Sequence, residues 1–515
     1  MRLTLLFTAL LGCSGGAPAT PPQISWPPRP RVDAGLPVDA SLPLLAARGE
    51  ACREPAQACA AELSCTQAPG GYCASPCGLG GAVCPDGVCV ATARSGEQCL
   101  RGCARDADCR TAEGYVCDGQ WRACLIPNSA VIVPKQCPAA AGLARDKAFG
   151  ATAALTNPTT PGLAQNAPSA IITDSGNIVA EWSSYSGGRP QVRLARDAKG
   201  ILYAVWVESE GHHRQISLAR SRDSGKTWTG PDRVDAADCT DREPACLDRP
   251  MLAIGADRIY VLYAASGGIR VATSFDEGNS FRTGLTALVG HHGSATVGAD
   301  GRLHIIALDP ATSLPGFGSA DHRILYTVSA DRGASFAKAQ RVSGRDEMLP
   351  FYVASPGVAV DTKRKWIYTV YVRGGRDAVW DLVIAATKDN GKTWKRTRIG
   401  DDLPGCAIHM VPTLALDATT GTLHVAWYDN RDGGRFARAT CTPGAVKCTQ
   451  QGAINDQPFA AFTAEHGTAR SLGEAAALVI DAKRRVLHAV WAQPFDEQGK
   501  IVTRIVHAQA ALPKK

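Results

Sequence analysis

SRDSGKTW, residues 221–228, is the first of four copies of one motif that decides the fold of this chain. The other copies are SFDEGNSF (274–281), SADRGASF (329–336) and TKDNGKTW (387–394), and successive copies lie roughly 53 to 58 residues apart. Each fits S/T-x-D-x-G-x-x-W/F, called here the Asp–Gly motif. A fixed period of this size indicates a fold built from one repeated unit. The motif itself predicts a turn, because Asp accepts backbone N–H groups and Gly supplies a positive φ.

A second repeat has the form aliphatic–Tyr/His–x–x–aromatic. Its copies are LYAVW (202–206), IYVLY (259–263), IYTVY (367–371), LHVAW (423–427) and LHAVW (487–491), with weaker copies LHIIA (303–307) and IVAEW (178–182). Each follows a short apolar stretch and a turn, which predicts strand, turn, strand. One unit is therefore four antiparallel strands, with the Asp–Gly motif between the third and the fourth.

The two repeats together resemble the Asp-box, or BNR, repeats of sialidase-like β-propellers. The resemblance implies an all-β fold, a six-bladed propeller with seven blades as the alternative, preceded by a small disulfide-rich region. The propeller is predicted over residues 166–512, and the IVAEW copy as ring closure or a truncated blade. Residues 138–165 are a linker or the closing strand, since a strand from 148–160 would complete the last unit and leave no open edge.

The N-terminus predicts export. MRLTLLFTALLGC gives one Arg, an apolar run too short to span a bilayer, and Leu10-Leu11-Gly12-Cys13, which resembles a bacterial lipobox. Residues 1–12 are interpreted as a lipoprotein signal peptide, Cys13 as the lipid anchor and 13–50 as a Pro-rich tether. The expected location is the bacterial cell envelope, with Ser14 favouring the outer membrane or cell surface. An ordinary signal peptide with an incidental Cys is the alternative.

Cysteines crowd the next region, 51–137. Twelve of the 19 cysteines lie between Cys52 and Cys124, which predicts a disulfide framework in an exported chain. Cys59-x5-Cys65-x7-Cys73 is echoed by Cys103-x5-Cys109-x7-Cys117, which indicates two small modules whose connectivity stays open. Their role is partner binding or spacing. No paired C-x-x-C knuckles are present, so no metal is expected. Two further pairs are close enough to staple loops locally: Cys239 with Cys246, and Cys441 with Cys448.

The charge distribution and the motifs limit the classes of partner that are expected. The formal net charge is +7, but 55 Lys and Arg are scattered among 48 Asp and Glu with no basic stripe, which argues against nucleic acid. No motif for a cofactor or a nucleophilic hydrolase is found. The expected partners are a glycan or a surface protein, together with the membrane through the lipid anchor; the oligomeric state stays open.

Propeller geometry decides which residues can meet. First strands begin and second strands end at one face, called here the mouth, whereas the Asp–Gly turns lie at the periphery of the opposite face. The motif aspartates are therefore expected to be structural: Asp223, Asp276, Asp331 and Asp389. The mouth candidates for ligand binding are Arg189, Arg249, His292, Arg373, His409, Asp429 and Arg431. Arginine among carboxylates suits an anionic or polyhydroxylated ligand, and the alternative is a solvated rim paired within itself.

The sialidase resemblance implies further roles. Family enzymes hold a substrate carboxylate with three Arg, the first in an R-I-P motif, and use a Tyr nucleophile with a Glu partner and an Asp acid/base. The nearest matches, Gly188-Arg189-Pro190 and Asp248-Arg249-Pro250, lack the residue between Arg and Pro. Tyr352 or Tyr428 could serve as nucleophile, with Glu208 or Asp309 as partners. The degraded motif favours a lipoprotein whose propeller binds glycan or protein without catalysis; the alternative is an exo-α-sialidase, and a scaffold that contacts only proteins is a third reading.

Overall fold

The structure is a computed structural model of the chain. It describes residues 46–513 except 53–57, 61–62, 67–70, 77–86, 93–95, 118–122, 126–142, 156–163, 186–191, 211, 240–245, 310–322, 345–346, 348–355, 375–379, 400–408, 430, 432–433, 446, 460–471, 474 and 498–499. The predicted signal peptide and most of the predicted tether, including Cys13, lie outside the described residues. Among the described residues, no helix has the length and apolar character needed to cross a membrane.

The Cys-rich region forms two small sheets. One contains, in spatial order, β1 (Ser64–Thr66), β2 (Tyr72–Pro76), β4 (Gly96–Arg101) and β3 (Gly87–Thr92). The other pairs β5 (Val116–Cys117) with β6 (Cys124–Leu125), after 3-10 turns at Asp106–Asp108 and Thr111–Glu113. The apolar cluster here is small, and its buried residues include Tyr72, Leu100 and Tyr115. Such a region depends on covalent bridges for stability.

Disulfides connect the cysteines of this region. The bridges are Cys52–Cys65, Cys59–Cys73, Cys103–Cys117 and Cys109–Cys124, and Cys99 is also disulfide-bonded. Cys59–Cys73 and Cys103–Cys117 occupy equivalent places in the sequence echo and both span 14 residues. Among the described residues, the groups close enough to hold a metal are two cysteine triplets from this region. Every sulfur in them belongs to a disulfide, so none is a free thiolate ligand.

The rest of the described chain is dominated by six four-stranded antiparallel sheets, of which the first five are simple meanders. Sheet 1 contains β10 (Arg193–Arg196), β11 (Leu202–Glu210), β12 (His213–Ser221) and β13 (Thr229–Asp238). Sheet 2 contains β14 (Asp248–Ile254), β15 (Ile259–Ala265), β16 (Gly268–Ser274) and β17 (Arg282–Leu288). Sheet 3 contains β18 (His292–Val297), β19 (Leu303–Asp309), β20 (Arg323–Ser329) and β21 (Gln340–Arg341).

The later sheets repeat the arrangement. Sheet 4 contains β22 (Gly357–Asp361), β23 (Trp366–Gly374), β24 (Trp380–Thr387) and β25 (Lys395–Ile399). Sheet 5 contains β26 (His409–Asp417), β27 (Thr422–Asp429), β28 (Arg435–Cys441) and, after a 3-10 turn at Pro443–Ala445, β29 (Cys448–Ala453). Sheet 6 contains β30 (Ala477–Asp481), β31 (Val486–Glu497), β32 (Lys500–Ala511) and β7 (Ala153–Ala154).

The sheets form a closed ring. Each first strand contacts the first strand of the next sheet, and the series returns from β30 to β10 through β8 (Ala164–Ile172) of a two-stranded sheet. That sheet is completed by β9 (Ile178–Tyr185), which carries the IVAEW copy. The molecule is therefore a β-propeller, and the described ring holds six four-stranded sheets and one two-stranded sheet. Strand β7 pairs Ala153 and Ala154 with His507 and Val506, so a segment before the ring completes its last sheet.

The core lies between the sheets. Second strands are central and covered on both faces, which explains their nearly continuous apolar sequences. In sheet 1, Tyr203 and Val205 pack against Val261 and Tyr263 of sheet 2. Alternate residues, such as Trp206, pack in the opposite direction, against the two-stranded sheet. The disulfides Cys239–Cys246 and Cys441–Cys448 close short segments next to sheets 1 and 5.

The Asp–Gly motif forms the turn between third and fourth strands. The Asp223 carboxylate accepts the Thr227 backbone N–H at 2.9 Å and the Thr227 hydroxyl at 2.6 Å, while the Ser221 hydroxyl accepts the Gly225 N–H at 2.8 Å. Gly225 has φ 88°. The Thr227 hydroxyl and N–H lower the pKa of Asp223 to about 2. The same bonds recur at Asp276, Asp331 and Asp389, so these carboxylates are occupied in holding turns far from the mouth.

Candidate ligand-binding mouth

A ring of polar pairs surrounds the mouth. In the second strands, the residue two places after the end of the aliphatic–Tyr/His–x–x–aromatic repeat is polar in five of the six four-stranded sheets. Each lies directly across from a polar residue near the start of the third strand, in the pairs Glu208–Gln215, Asp309–Arg323, Arg373–Asp381, Asp429–Arg435 and Gln493–Arg504. Sheet 2 has Ala265 opposite Gly268 instead. The fold thus repeats one polar level around its axis.

The aromatic residue of the repeat orients this level. Trp206 Nε1 donates to Glu208 Oε1 at 2.9 Å, and Trp491 Nε1 donates to Gln493 Oε1 at 3.2 Å. Trp427 Nε1 is 3.3 Å from Asp429 Oδ2 and makes the same contact. A tryptophan followed two residues later by an acceptor is therefore the local sequence signal for a mouth residue.

In two sheets the aromatic residue of the repeat is a tyrosine, and its hydroxyl bonds to a residue outside its own sheet. The Tyr263 hydroxyl donates to Asp235 at 2.6 Å, and the Tyr371 hydroxyl donates to Glu347 at 2.8 Å. Both acceptors belong to the preceding sheet or the segment that follows it. Tyr371 and Glu347 are both buried, and burial raises the pKa of Tyr371, with Glu347 adding to the effect. These tyrosines tie neighbouring sheets together below the mouth.

Asp429 is the centre of a buried charged network in sheet 5. Arg431 Nε donates to Asp429 Oδ1 at 2.8 Å, the Arg431 backbone N–H donates to the same oxygen at 3.0 Å, and His409 Nε2 lies 3.1 Å from Oδ2. All three residues are at most 2% exposed. Burial acts to raise the pKa of Asp429, but His409 and Arg431 outweigh it and hold the pKa below its usual range. The network is a fixed floor for the mouth rather than a set of uncommitted groups.

Two other arginine–aspartate groups are nearer to solvent. Asp309 is buried and forms an ion pair with the half-exposed Arg323. Asp381 is buried between two arginines, at 3.9 Å from Arg373 Nε and in direct contact with Arg398. The arginine side chains of both groups are partly exposed, so a ligand at the mouth can reach them.

Backbone bulges shape the start of three first strands. Ala167, Arg249 and Val411 each precede a proline, each has a φ of 49–51°, and each lies within a break of strand register. Such a φ is strained for residues other than glycine, most of all for a β-branched valine. Arg249 is held there by Asp248, whose carboxylate accepts its Nη1 at 2.9 Å. Nearby, burial lowers the pKa of His291, an effect to which Arg249 adds.

The structure places the three arginines that the sequence grouped in different sheets. Arg249, Arg373 and Arg431 lie in sheets 2, 4 and 5, and each is next to a carboxylate of its own sheet. Among the other candidates, Glu208 is exposed, and Asp309 and His292 are buried. Arg189 and Tyr352 lie outside the described residues.

Tyr428 does not suit the role of a nucleophile. It is 0% exposed, its hydroxyl donates to the Ala492 carbonyl and accepts the Ala492 N–H, both at 3.0 Å, and burial raises its pKa far above the usual value. The hydroxyl is therefore fully occupied in joining sheets 5 and 6. A tyrosine one residue before a mouth position points to the opposite face of its strand, which is why sequence order misplaced it.

Sequence reasoning missed the third-strand partners and one carboxyl. Arg323, Asp381, Arg435 and Arg504 become mouth residues only through cross-strand register. Glu181 lies on β9 opposite Ser169, and burial raises its pKa to about 7. Its signal was present in the IVAEW copy, where Glu replaces the aliphatic residue of the other repeats.

Comparisons with known proteins give structural likeness only. No protein-family model matches the chain, and no curated protein matches it. A Trypanosoma rangeli sialidase in complex with 2,3-difluorosialic acid is 11% identical, with 68% of this chain and 59% of that chain covered and a TM-score of 0.36. A Penicillium chrysogenum α-L-arabinanase complexed with arabinobiose is 15% identical, with 67% and 98% covered and a TM-score of 0.40. A PL25 polysaccharide lyase, an ulvan lyase, is 12% identical, with 60% and 78% covered and a TM-score of 0.39. Likenesses at these identities concern the fold alone.

Proposed function

We propose that the propeller binds a glycan at its mouth without chemical conversion, on a lipoprotein anchored through Cys13 in a bacterial envelope. The observation that carries the proposal is the repeated level of cross-strand polar pairs, which offers solvent-accessible polar groups from four sheets around one axis. A polyhydroxylated ligand can bond to the outer atoms of such pairs without requiring a net charge. A protein ligand at the same face is the other outcome of the test.

The pairing of the arginines argues against sialidase chemistry. A carboxylate held by three guanidinium groups needs arginines that are free to converge, whereas Arg431 is committed to buried Asp429. The exo-α-sialidase alternative is favoured by one observation: Arg373 Nε is buried, has no hydrogen-bond partner among the described residues, and is 3.9 Å from its nearest carboxylate. A substrate acid group could complete that site.

Glycan binding is tested by affinity electrophoresis of the full chain in gels that contain neutral or acidic polysaccharides. We expect at least one polysaccharide to retard the chain, and Arg323→Ala to weaken the apparent affinity by about tenfold, or ~1.4 kcal/mol. Arg196→Ala is the matched control, because Arg196 also pairs with a single aspartate, Asp174, but at the opposite face. Equal retardation of both variants would contradict binding at the mouth, and retardation by no polysaccharide would favour a protein ligand.

Absence of sialidase turnover is a separate expectation. The chain incubated with a 4-methylumbelliferyl sialoside should release no fluorophore above the rate of the buffer, since Arg431 is committed to Asp429 and is not available as one of three arginines for the substrate carboxylate. Turnover that disappears in Arg373→Ala but persists in Arg196→Ala would establish the hydrolase alternative. The lipid anchor is tested independently by mass spectrometry of the mature N-terminus, where an unmodified residue other than Cys13 would refute it.

A further inference from the structure

An exposed aromatic residue marks the outer edge of sheet 2, on the face opposite the mouth. Phe275 is the second residue of the SFDEGNSF motif and is 53% exposed. The equivalent residues of the other three motifs are Arg222, Ala330 and Lys388. The turn therefore does not require an aromatic side chain there, and the exposed ring is available to pack against a ligand.

Two arginines lie against this ring and play different parts. The Arg258 guanidinium is 4.8 Å from the ring centre and is fixed by two hydrogen bonds to Asp257, of 2.8 and 3.0 Å. The Arg282 guanidinium is 5.3 Å from the ring centre and exposed. In the part of the chain that the structure describes, Arg282 has no hydrogen bond and no ion pair. It is a guanidinium positioned by a ring and still free to bind an oxyanion through two parallel N–H groups.

A surface depression joins these groups. It has a volume of about 280 Å³ and is lined by Thr273, Phe275, Asp276, Ser280 and Arg282. That volume lies at the lower end of the range for small-molecule sites, about the size of one or two sugar rings. The Asp276 carboxylate is already occupied by the Ser280 N–H and hydroxyl and by the Ser274 hydroxyl. Because these donors are neutral, Asp276 keeps its negative charge, but its oxygens are engaged within the turn, so Arg282 is the charged group of the depression whose donors remain for a ligand.

We propose that this depression binds an acidic sugar residue, whose carboxylate or sulfate is held by Arg282 and whose apolar face covers Phe275. The hydroxyls of Thr273 and Ser280 accept or donate hydrogen bonds at the rim. An acidic sugar fits the depression better than a simple anion, because a simple anion would leave the exposed ring uncovered. The site is separate from the mouth and does not depend on ligand binding there.

The test is calorimetric titration of the full chain with three trisaccharides: galacturonate trisaccharide, sulfated maltotriose and neutral maltotriose. We expect one of the acidic trisaccharides to bind, and Phe275→Ala and Arg282→Ala each to weaken that binding by tenfold or more. The matched control is Lys388→Ala, which removes the equivalent residue of another Asp–Gly motif and its own contact with an aromatic ring, Trp366. Lys388→Ala should change the affinity by less than twofold.

The controls separate this site from the mouth. The same titrations in the Arg323→Ala background should show an unchanged effect of Phe275→Ala, so loss of mouth binding and loss of this site are distinguishable. Which acidic trisaccharide binds identifies the anion as carboxylate or sulfate. The proposal is overturned if neither binds, if neutral maltotriose binds equally well, or if Phe275→Ala and Arg282→Ala bind like the unsubstituted chain.

Discussion

Asp429→Ala is expected to lower the free energy of unfolding of the propeller by about 3–5 kcal/mol, the cost of leaving a buried charge without its partner. Arg431 is 2% exposed and directs both its side chain and its backbone N–H at the Asp429 carboxylate. With that carboxylate gone, the buried Arg431 charge loses its partner, and so do Trp427 Nε1 and His409 Nε2 beside it. The loss is measured as the shift in the urea midpoint followed by tryptophan fluorescence.

Two further variants test whether the unpaired charge of Arg431 causes the loss of stability in Asp429→Ala. Asp174→Ala removes a carboxylate that is 77% exposed and paired with one arginine, and should cost at most about 1 kcal/mol. Asp429→Ala combined with Arg431→Met removes the whole charge pair and should recover a large part of the loss, because apolar replacements of similar size tolerate burial. If Asp429→Ala costs no more than Asp174→Ala, the network is not sealed from water. If the double substitution is worse than the single one, the uncompensated charge is not the cause.

The repeats carry most of what sequence could predict about the fold. The Asp–Gly motifs occur at the turns between third and fourth strands, and the aliphatic–aromatic repeats occur on second strands, because both are local patterns with strong backbone preferences. The two-stranded sheet at 164–185 was harder to interpret. Its spacing excluded a four-stranded unit, but only the contacts of β8 with β10 and β30 place it within the ring.

The mouth could be predicted only in part, since its chemistry depends on pairing. Arg373 and Asp429 were found because they follow recognisable second strands, yet only the structure shows that Asp381 lies 3.9 Å from Arg373 and that Arg431 bonds to Asp429. Asp381 becomes a neighbour through the register of β23 with β24. The sequence left open whether these arginines were available to a ligand or paired within the rim, because nothing local shows that an aspartate of the same sheet lies next to each one.

Glu181→Gln is expected to stabilise the chain at alkaline pH by about 2–3 kcal/mol, with no effect near pH 4. The residues at its place in the second strands of the four-stranded sheets are all aliphatic and fully buried: Val205, Leu262, Ile306, Val370, Ala426 and Val490. Glu181 occupies this level in the sheet that lacks third and fourth strands. Its carboxyl has no hydrogen-bond or ion-pair partner in the described part of the chain, and burial raises its pKa from the ordinary 4.5 to about 7.

The direction in which stability changes with pH follows from proton binding by Glu181. Between the unfolded pKa of 4.5 and the folded pKa of about 7, the folded chain holds a proton that the unfolded chain has lost, so stability falls as pH rises through this window. Below it both states are protonated, and above it the ionised carboxyl carries its full burial cost. At ~1.4 kcal/mol per unit of pKa, reduced for partial exposure, the cost is about 2–3 kcal/mol. Glutamine keeps the shape and removes the charge.

The measurement is the difference in urea midpoint between Glu181→Gln and the unsubstituted chain from pH 4 to pH 9, which cancels every other titrating group. Glu208→Gln is the matched control. Glu208 is an exposed carboxyl on β11 that accepts a hydrogen bond from Trp206 Nε1, and a glutamine at this position can still accept it. The difference for Glu181→Gln should change more between pH 4 and pH 9 than the difference for Glu208→Gln does. A difference for Glu181→Gln that changes no more than that for Glu208→Gln would mean that water reaches the carboxyl through the space that the missing outer strands leave, so this part of the ring would be open to solvent.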